Sequence, residues 1–210
     1  MTSVFNMLGR FAWASASDYL GRKFTYTLFF VFGAALYLAI PLCAWQASVS
    51  QPVLWLVIFY AVAMLIFTMY GGGFATIPAY LSDLFGTRFV GGIHGRLLTA
   101  WSTAGVLGPL ALTALRDRAE RRAAVELAAQ VDPEAFATKF GAPLAEFDAL
   151  LASKTVSLSS LLEIAPAGTV DPSFTLYNST MYLMAGLLIV ALVANLLLRP
   201  VDQRHYLREE

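Results

Sequence analysis

The sequence predicts an all-α integral membrane protein with four transmembrane helices and a small helical extramembrane insertion between the last two. Composition is the first reason. Apolar residues make up 58% of the 210-residue chain and charged ones only 13%, about half the charged fraction of a soluble domain. The second reason is segregation, because residues 24–82 contain no Asp, Glu, Lys or Arg. A soluble fold cannot hide so long an uncharged stretch, since much of its surface must meet water. The third is length: the apolar residues fall into stretches near the ~20 needed to cross a bilayer.

The first span is expected at about 24–45, followed by the short polar turn QASVSQP at 46–52. The second begins near Val53 and extends towards Leu81, with a bend or unwinding expected at Gly71-Gly72-Gly73 and Pro78. Residues 83–96 read as a Gly-rich loop carrying Asp83, Arg88, His94 and Arg96. The third span is expected at about 97–115 and the fourth at about 176–198. The chain therefore divides into membrane helices at 1–115, a soluble insertion at 116–173, a last membrane helix at 174–200 and a tail at 201–210.

The insertion holds six basic and nine acidic residues and reads as short amphipathic helices. Asp132-Pro133-Glu134 is a helix start, with Asp as N-cap and Pro at the first helical position. Gly141-Ala142-Pro143 is a break, residues 144–151 form a second short helix, and 155–160 a polar link.

Several classes find no footing. Formal net charge is zero, from 14 basic and 14 acidic residues, so there is no nucleic-acid footprint. The single cysteine, Cys43, lies in an apolar run, where it reads as a small core residue rather than a metal ligand or half of a disulfide. Ala14-Ser15-Ala16 resembles a cleavage site, but no positive charge precedes it and Arg10 interrupts the apolar residues, so no cleavable signal is expected. The chain carries no HExxH, GxSxG, CxxC or phosphate loop. His94 and His205 lie in different loops and read as solvated. Neither an enzyme nor a cofactor or metal site is expected.

Lys and Arg in short loops set orientation. Arg10, Arg22, Lys23, Arg88, Arg96, Arg199, Arg204 and Arg208 fall on one side, which is expected to be cytoplasmic together with the C-terminus. The uncharged turn and the insertion fall on the other. Arg116, Arg118, Arg121 and Arg122 also lie on that second side, but they sit among Asp117 and Glu120 and begin a long loop, which weighs less.

Two segments carry a family resemblance. Residues 6–23 read NMLGRFAWASASDYLGRK, and the ending Asp18-Tyr19-Leu20-Gly21-Arg22-Lys23 resembles the cytoplasmic loop signature of the major facilitator superfamily. Gly permits the tight turn, the basic pair sits at the membrane surface, and Asp can pair with a base. Ala14 stands where that pattern usually has Gly, and Tyr19 where it often has a base. Residues 70–109 read YGGGFATIPAYLSDLFGTRFVGGIHGRLLTAWSTAGVLGP, which is similar to the oxalate/formate antiporter family within that superfamily. Gly9-Arg10, Ser17-Asp18 and the closing Asn195-Leu196-Leu197-Leu198-Arg199-Pro200 fit the same family.

The resemblance implies a fold of two six-helix halves with the substrate site between them near the bilayer midplane. It implies that this chain supplies the tail of helix eight, the signature loop (Gly9, Arg10, Asp18, Gly21, Arg22, Lys23) and helices nine to twelve. The expected function is accordingly that of a fragment of a secondary active transporter. It would move small mono- or dicarboxylates by antiport or proton coupling in a bacterial inner membrane, together with a missing N-terminal half. Small and polar positions mark protein-facing sides of membrane helices, so Tyr70, Thr99, Trp101 and Ser102 are candidates for the substrate path. Asp83 and Arg96 are candidate gating charges beside Asp18 and Arg22. A carboxylate in a membrane must be paired, and the resemblance implies cations on helices eight and eleven. The third span has no Lys or Arg between Leu97 and Leu115, and the nearest basic groups are His94 and Arg96. The alternative is an accessory membrane protein that acts by binding a partner rather than by transport.

Overall fold

The computed structural model describes residues 1–50 and 52–202. Gln51 of the expected polar turn, and Arg204, His205 and Arg208 of the tail, lie outside the described residues. The described chain is helical, without a strand, and four of its helices are long and apolar enough to span a membrane. The protein is thus a multi-pass α-helical membrane protein.

The N-terminal segment is a helix of 19 residues, α1 (Thr2–Leu20), rather than a loop with the tail of a span. Gly21 (φ 85°) turns the chain into α2 (Arg22–Val49). Such a left-handed φ is open to Gly without a Cβ clash. The next helix, α3 (Pro52–Phe85), runs through Gly71-Gly72-Gly73 and Pro78 without interruption. Inside a bilayer an unwound turn would leave backbone groups unpaired, so continuity is favoured even through weak helix formers.

The Gly-rich 83–96 segment is mostly helical as well. Only Gly86 to Phe89 separate α3 from α4 (Val90–Ala128), so His94 and Arg96 stand on a helix, not in a loop. That helix is 39 residues long and passes the expected boundary at 115 by more than three turns. The insertion is therefore built onto the end of a membrane helix. After it come α5 (Pro133–Phe140), a 3₁₀ turn (Leu144–Glu146), α6 (Phe147–Ala152), α7 (Leu158–Leu162), a 3₁₀ turn (Pro172–Thr175) and the last span, α8 (Asn178–Leu197).

Two cores result. In the insertion, Ala124, Leu127, Phe136, Phe147, Val156 and Leu161 form a buried cluster. Asp132 caps α5 by accepting from the Ala135 amide at 3.2 Å, and Gly141 ends it at φ 70°. Residues 155–160, expected as a polar link, instead bury Val156 and Leu158 and hold a capping box between Ser157 and Ser160.

In the membrane part, α3 packs against α1 and α2, and α2 against α8. Where α1 crosses α3, Gly9 lies directly on the main chain of Thr68, Gly71 on that of Asn6, and Gly72 against Trp13. A Cβ at Gly9 or Gly71 would overlap backbone, so the helices approach as closely as helices can. The Trp13 indole donates to Thr68 Oγ1 at 3.2 Å across the same crossing. By contrast α4 stands nearly alone, with none of its most apolar stretch buried.

Candidate functional site

Two places in the membrane part hold the residues expected at a site. The first is the end of the bundle where α1, α3 and α8 finish. Arg22, at the first position of α2, reaches back to Asp18 and to the Ser17 hydroxyl. Its Nε lies 4.0 Å from Asp83 Oδ2 near the end of α3. The Arg22 side chain is 19% exposed whereas the two carboxylates are 59% and 62% exposed. A largely covered cation is thus held by solvated anions, an arrangement of modest strength that changes partners easily.

Beside it, Lys23 Nζ donates to the carbonyls of Leu196 (3.0 Å) and Leu198 (2.6 Å) at the end of α8. The Val201 amide donates to the Leu84 carbonyl at 2.9 Å. Gly21, Arg22, Lys23, Asp18 and Asp83 therefore share one junction of four helix ends. Arg96 does not join it: it is exposed on α4 and makes no ion pair among the described residues. Nor do Gly9 and Arg10 belong to this loop. Gly9 sits at the α1–α3 crossing, opposite Thr68 halfway along α3, which puts the exposed Arg10 at mid-span depth.

The second place is a cavity of about 330 Å³ between α2, α3 and α4, closed on one side by Leu188 of α8. Its wall is largely aromatic. Tyr70 meets Phe74 edge-on at 5.2 Å, and Phe74 meets Trp101 edge-on at 5.1 Å, so a ladder of rings ties α3 to the otherwise detached α4. The Tyr26 hydroxyl donates to the Gly73 carbonyl at 2.6 Å, and Thr76 Oγ1 lies 3.3 Å from that hydroxyl.

His94 also lines the cavity, and its Nδ1 is buried with no hydrogen-bond partner. An unpaired nitrogen in apolar surroundings costs desolvation that a ligand's hydrogen bond would offset. Among the described residues no Lys or Arg lines the space. The cavity can hold a compact planar or apolar group with one polar contact, but it supplies no fixed charge.

Of the four residues expected along the path, Tyr70 and Trp101 come together at this cavity. Thr99 and Ser102 do not line it. Both are exposed, and their hydroxyls are turned onto their own helix, towards the Arg96 carbonyl (2.6 Å) and the Leu98 carbonyl (3.1 Å).

Sequence reading passed over His94, taken as solvated, and a buried network further down the bundle. There Tyr80 donates to Asn195 Oδ1 at 2.8 Å, and Asn195 Nδ2 donates to Thr27 Oγ1 (3.0 Å) and the Lys23 carbonyl (3.2 Å). An Asn within an apolar span was the available signal, because such a group must find partners in a membrane. Among the described residues no three His, Cys, Asp or Glu side chains cluster as a metal site would need. Comparison of the chain with protein-family models, with curated proteins and with solved structures gives no match.

Proposed function

We propose that this chain is the C-terminal portion of a secondary active transporter of the major facilitator superfamily, of the oxalate/formate antiporter kind, moving small mono- or dicarboxylates by alternating access. The observation that carries the reading is the Asp18–Arg22–Asp83 cluster, in which Asp18 and Arg22 belong to the segment that resembles the superfamily's loop signature and Asp83 to the second resembling segment. A mostly covered guanidinium shared by two solvated carboxylates at helix ends is a lock that can open when the helices separate. The cytoplasm would lie at this end, where Lys23, Arg88 and Arg199 also fall.

Arg10 adds support. It is a cation at mid-span depth, and a cation there is costly unless it is paired or serves an anion. The exposed apolar flank of α4 would be covered by the rest of the transporter.

Counterflow of radiolabelled formate, oxalate and lactate tests the reading. The proteoliposomes would contain this chain together with whatever the coding sequence upstream of Met1 supplies. Saturable counterflow of at least one carboxylate is expected, lost in Arg10→Gln and slowed in Asp83→Asn. No counterflow for any carboxylate, or rates untouched by both substitutions, would remove the proposal.

The bare flank of α4 also favours a second reading, a non-transporting membrane protein that uses this face to hold a partner. Co-purification of a stoichiometric membrane protein, with no counterflow, would select it.

A further inference from the structure

At the opposite end of the bundle, where the apolar part of α4 gives way to the insertion, two arginines lack partners among the described residues. Arg116 pairs with Glu120 at 3.6 Å and Arg121 with Asp148 at 2.9 Å. Arg118 and Arg122, one turn apart, make no ion pair or hydrogen bond among the described residues. Both line a notch of about 300 Å³ between α4, the 3₁₀ turn Pro172–Thr175 and the first turn of α8. Leu115 closes its inner end, Thr175 and Ser179 stand on the facing wall, and Glu126 lines it one turn beyond Arg122.

Position fixes the chemistry this notch would meet. Leu115 is the last apolar residue of the third span before four arginines, and α8 enters the apolar region at Asn178, so both walls cross the headgroup layer here. Phe174 and Tyr177, next in sequence to the notch residues Thr175 and Ser179, are exposed, as is Tyr182 in the second turn of α8. Aromatic rings gather at that depth because they have an apolar body and a wet edge. Among the charged residues of α4 that line the notch, the order outward from the bilayer is cation, cation, anion: Arg118, Arg122, Glu126. A phosphodiester lies deeper than the ammonium of a zwitterionic headgroup, so the charges of the helix and of such a lipid run in the same order with opposite signs.

We propose that this notch is a binding site for phosphatidylethanolamine, with the phosphate between the Arg118 and Arg122 guanidinium groups and the primary ammonium on the Glu126 carboxylate. Guanidinium donors suit phosphate oxygens, and a primary ammonium can donate to a carboxylate where a quaternary one cannot.

Native mass spectrometry of the full chain tests the site. The chain would be purified in detergent and presented with phosphatidylethanolamine, phosphatidylglycerol, phosphatidylcholine or inorganic phosphate at equal concentration. Preferential retention of phosphatidylethanolamine is expected. Occupancy should fall about fivefold in the Arg118→Gln/Arg122→Gln double variant. Glu126→Gln should erase the preference over phosphatidylcholine while leaving phosphate contact intact. All three positions are exposed and Gln is a good helix former, so circular dichroism of the variants should match the parent. Equal retention of the three lipids, retention unchanged in the double variant, preference for phosphatidylglycerol, or binding of free phosphate alone would each overturn the proposal.

Discussion

Lys23 Nζ donates to the carbonyl oxygen of Leu198 at 2.6 Å, so the start of α2 closes the end of α8 although the two residues stand 175 positions apart in the chain. The last carbonyls of a helix have no partner of their own, and a cation there answers both the missing donors and the negative end of the dipole.

Removing that cation should loosen this end of the bundle. Lys23→Met is expected to cost about 1 kcal/mol and Lys23→Arg much less, read as thermal unfolding in detergent. Equal melting temperatures for parent and Met variant would show that water caps α8 as well as Lys23 does.

The α1–α3 crossing makes a sharper distinction within one glycine run. Gly71→Val forces a side chain into the main chain of Asn6 and should detach α1. At Gly73 a Cβ meets nothing within 4 Å, so Gly73→Ala should be neutral or gain up to about 1 kcal/mol from helix propensity. Crosslinking between cysteines introduced at Trp13 and Thr68, whose side chains meet at 3.2 Å, measures the attachment. A Gly71 variant that crosslinks as well as the parent would contradict the tight crossing.

Tyr80→Phe deletes the hydroxyl that serves the buried Asn195. A hydrogen bond between groups inside a protein in water would be worth about 1 kcal/mol. Interhelical bonds in membranes average about 0.6 kcal/mol, because the unpacked helices also find partners. The smaller figure is expected here, with unfolding in mixed micelles as the measurement. A loss beyond about 2 kcal/mol would mean that Asn195 has no alternative donor.

In the insertion, Phe136 is fully buried among Leu161, Phe147 and their neighbours. Phe136→Ala should cost about 3–5 kcal/mol, more than so small a unit can lose. Limited proteolysis should then cut within 129–171 while the four spans stay protected. Resistance equal to the parent's would place the stability of the insertion elsewhere, in its attachment to α4 and α8.

The spans were legible because apolar length is a strong, local signal: the uncharged stretch from 24 to 82 needed no tertiary information. The continuity of α3 was not. Gly71 to Gly73 and Pro78 are helix breakers by local propensity, and only their contacts reveal that two of the glycines are there for closeness to α1. The length of α1 was hidden for a similar reason. Arg10 and Asp18 depress its hydropathy, so it resembles a loop until Gly9 and Trp13 are seen against α3. At the junction, Asp18, Arg22 and Asp83 were readable as one cluster because all flank spans that end on one side. Arg96 was grouped with them on the same ground. Topology gives the side but not the azimuth, and Arg96 points away.

The unbroken course of α4 has a mechanical side. At 39 residues it is about 58 Å long, and its outer turns are embedded in the insertion through Ala124 and Leu127. It passes Pro109 without ending, so the membrane span and the start of the insertion are parts of one continuous helix. A tilt of about 10° pivoting at Val90 carries the far end through about 10 Å, so a small rearrangement within the bilayer becomes a displacement large enough for a bound antibody fragment to sense, or to prevent.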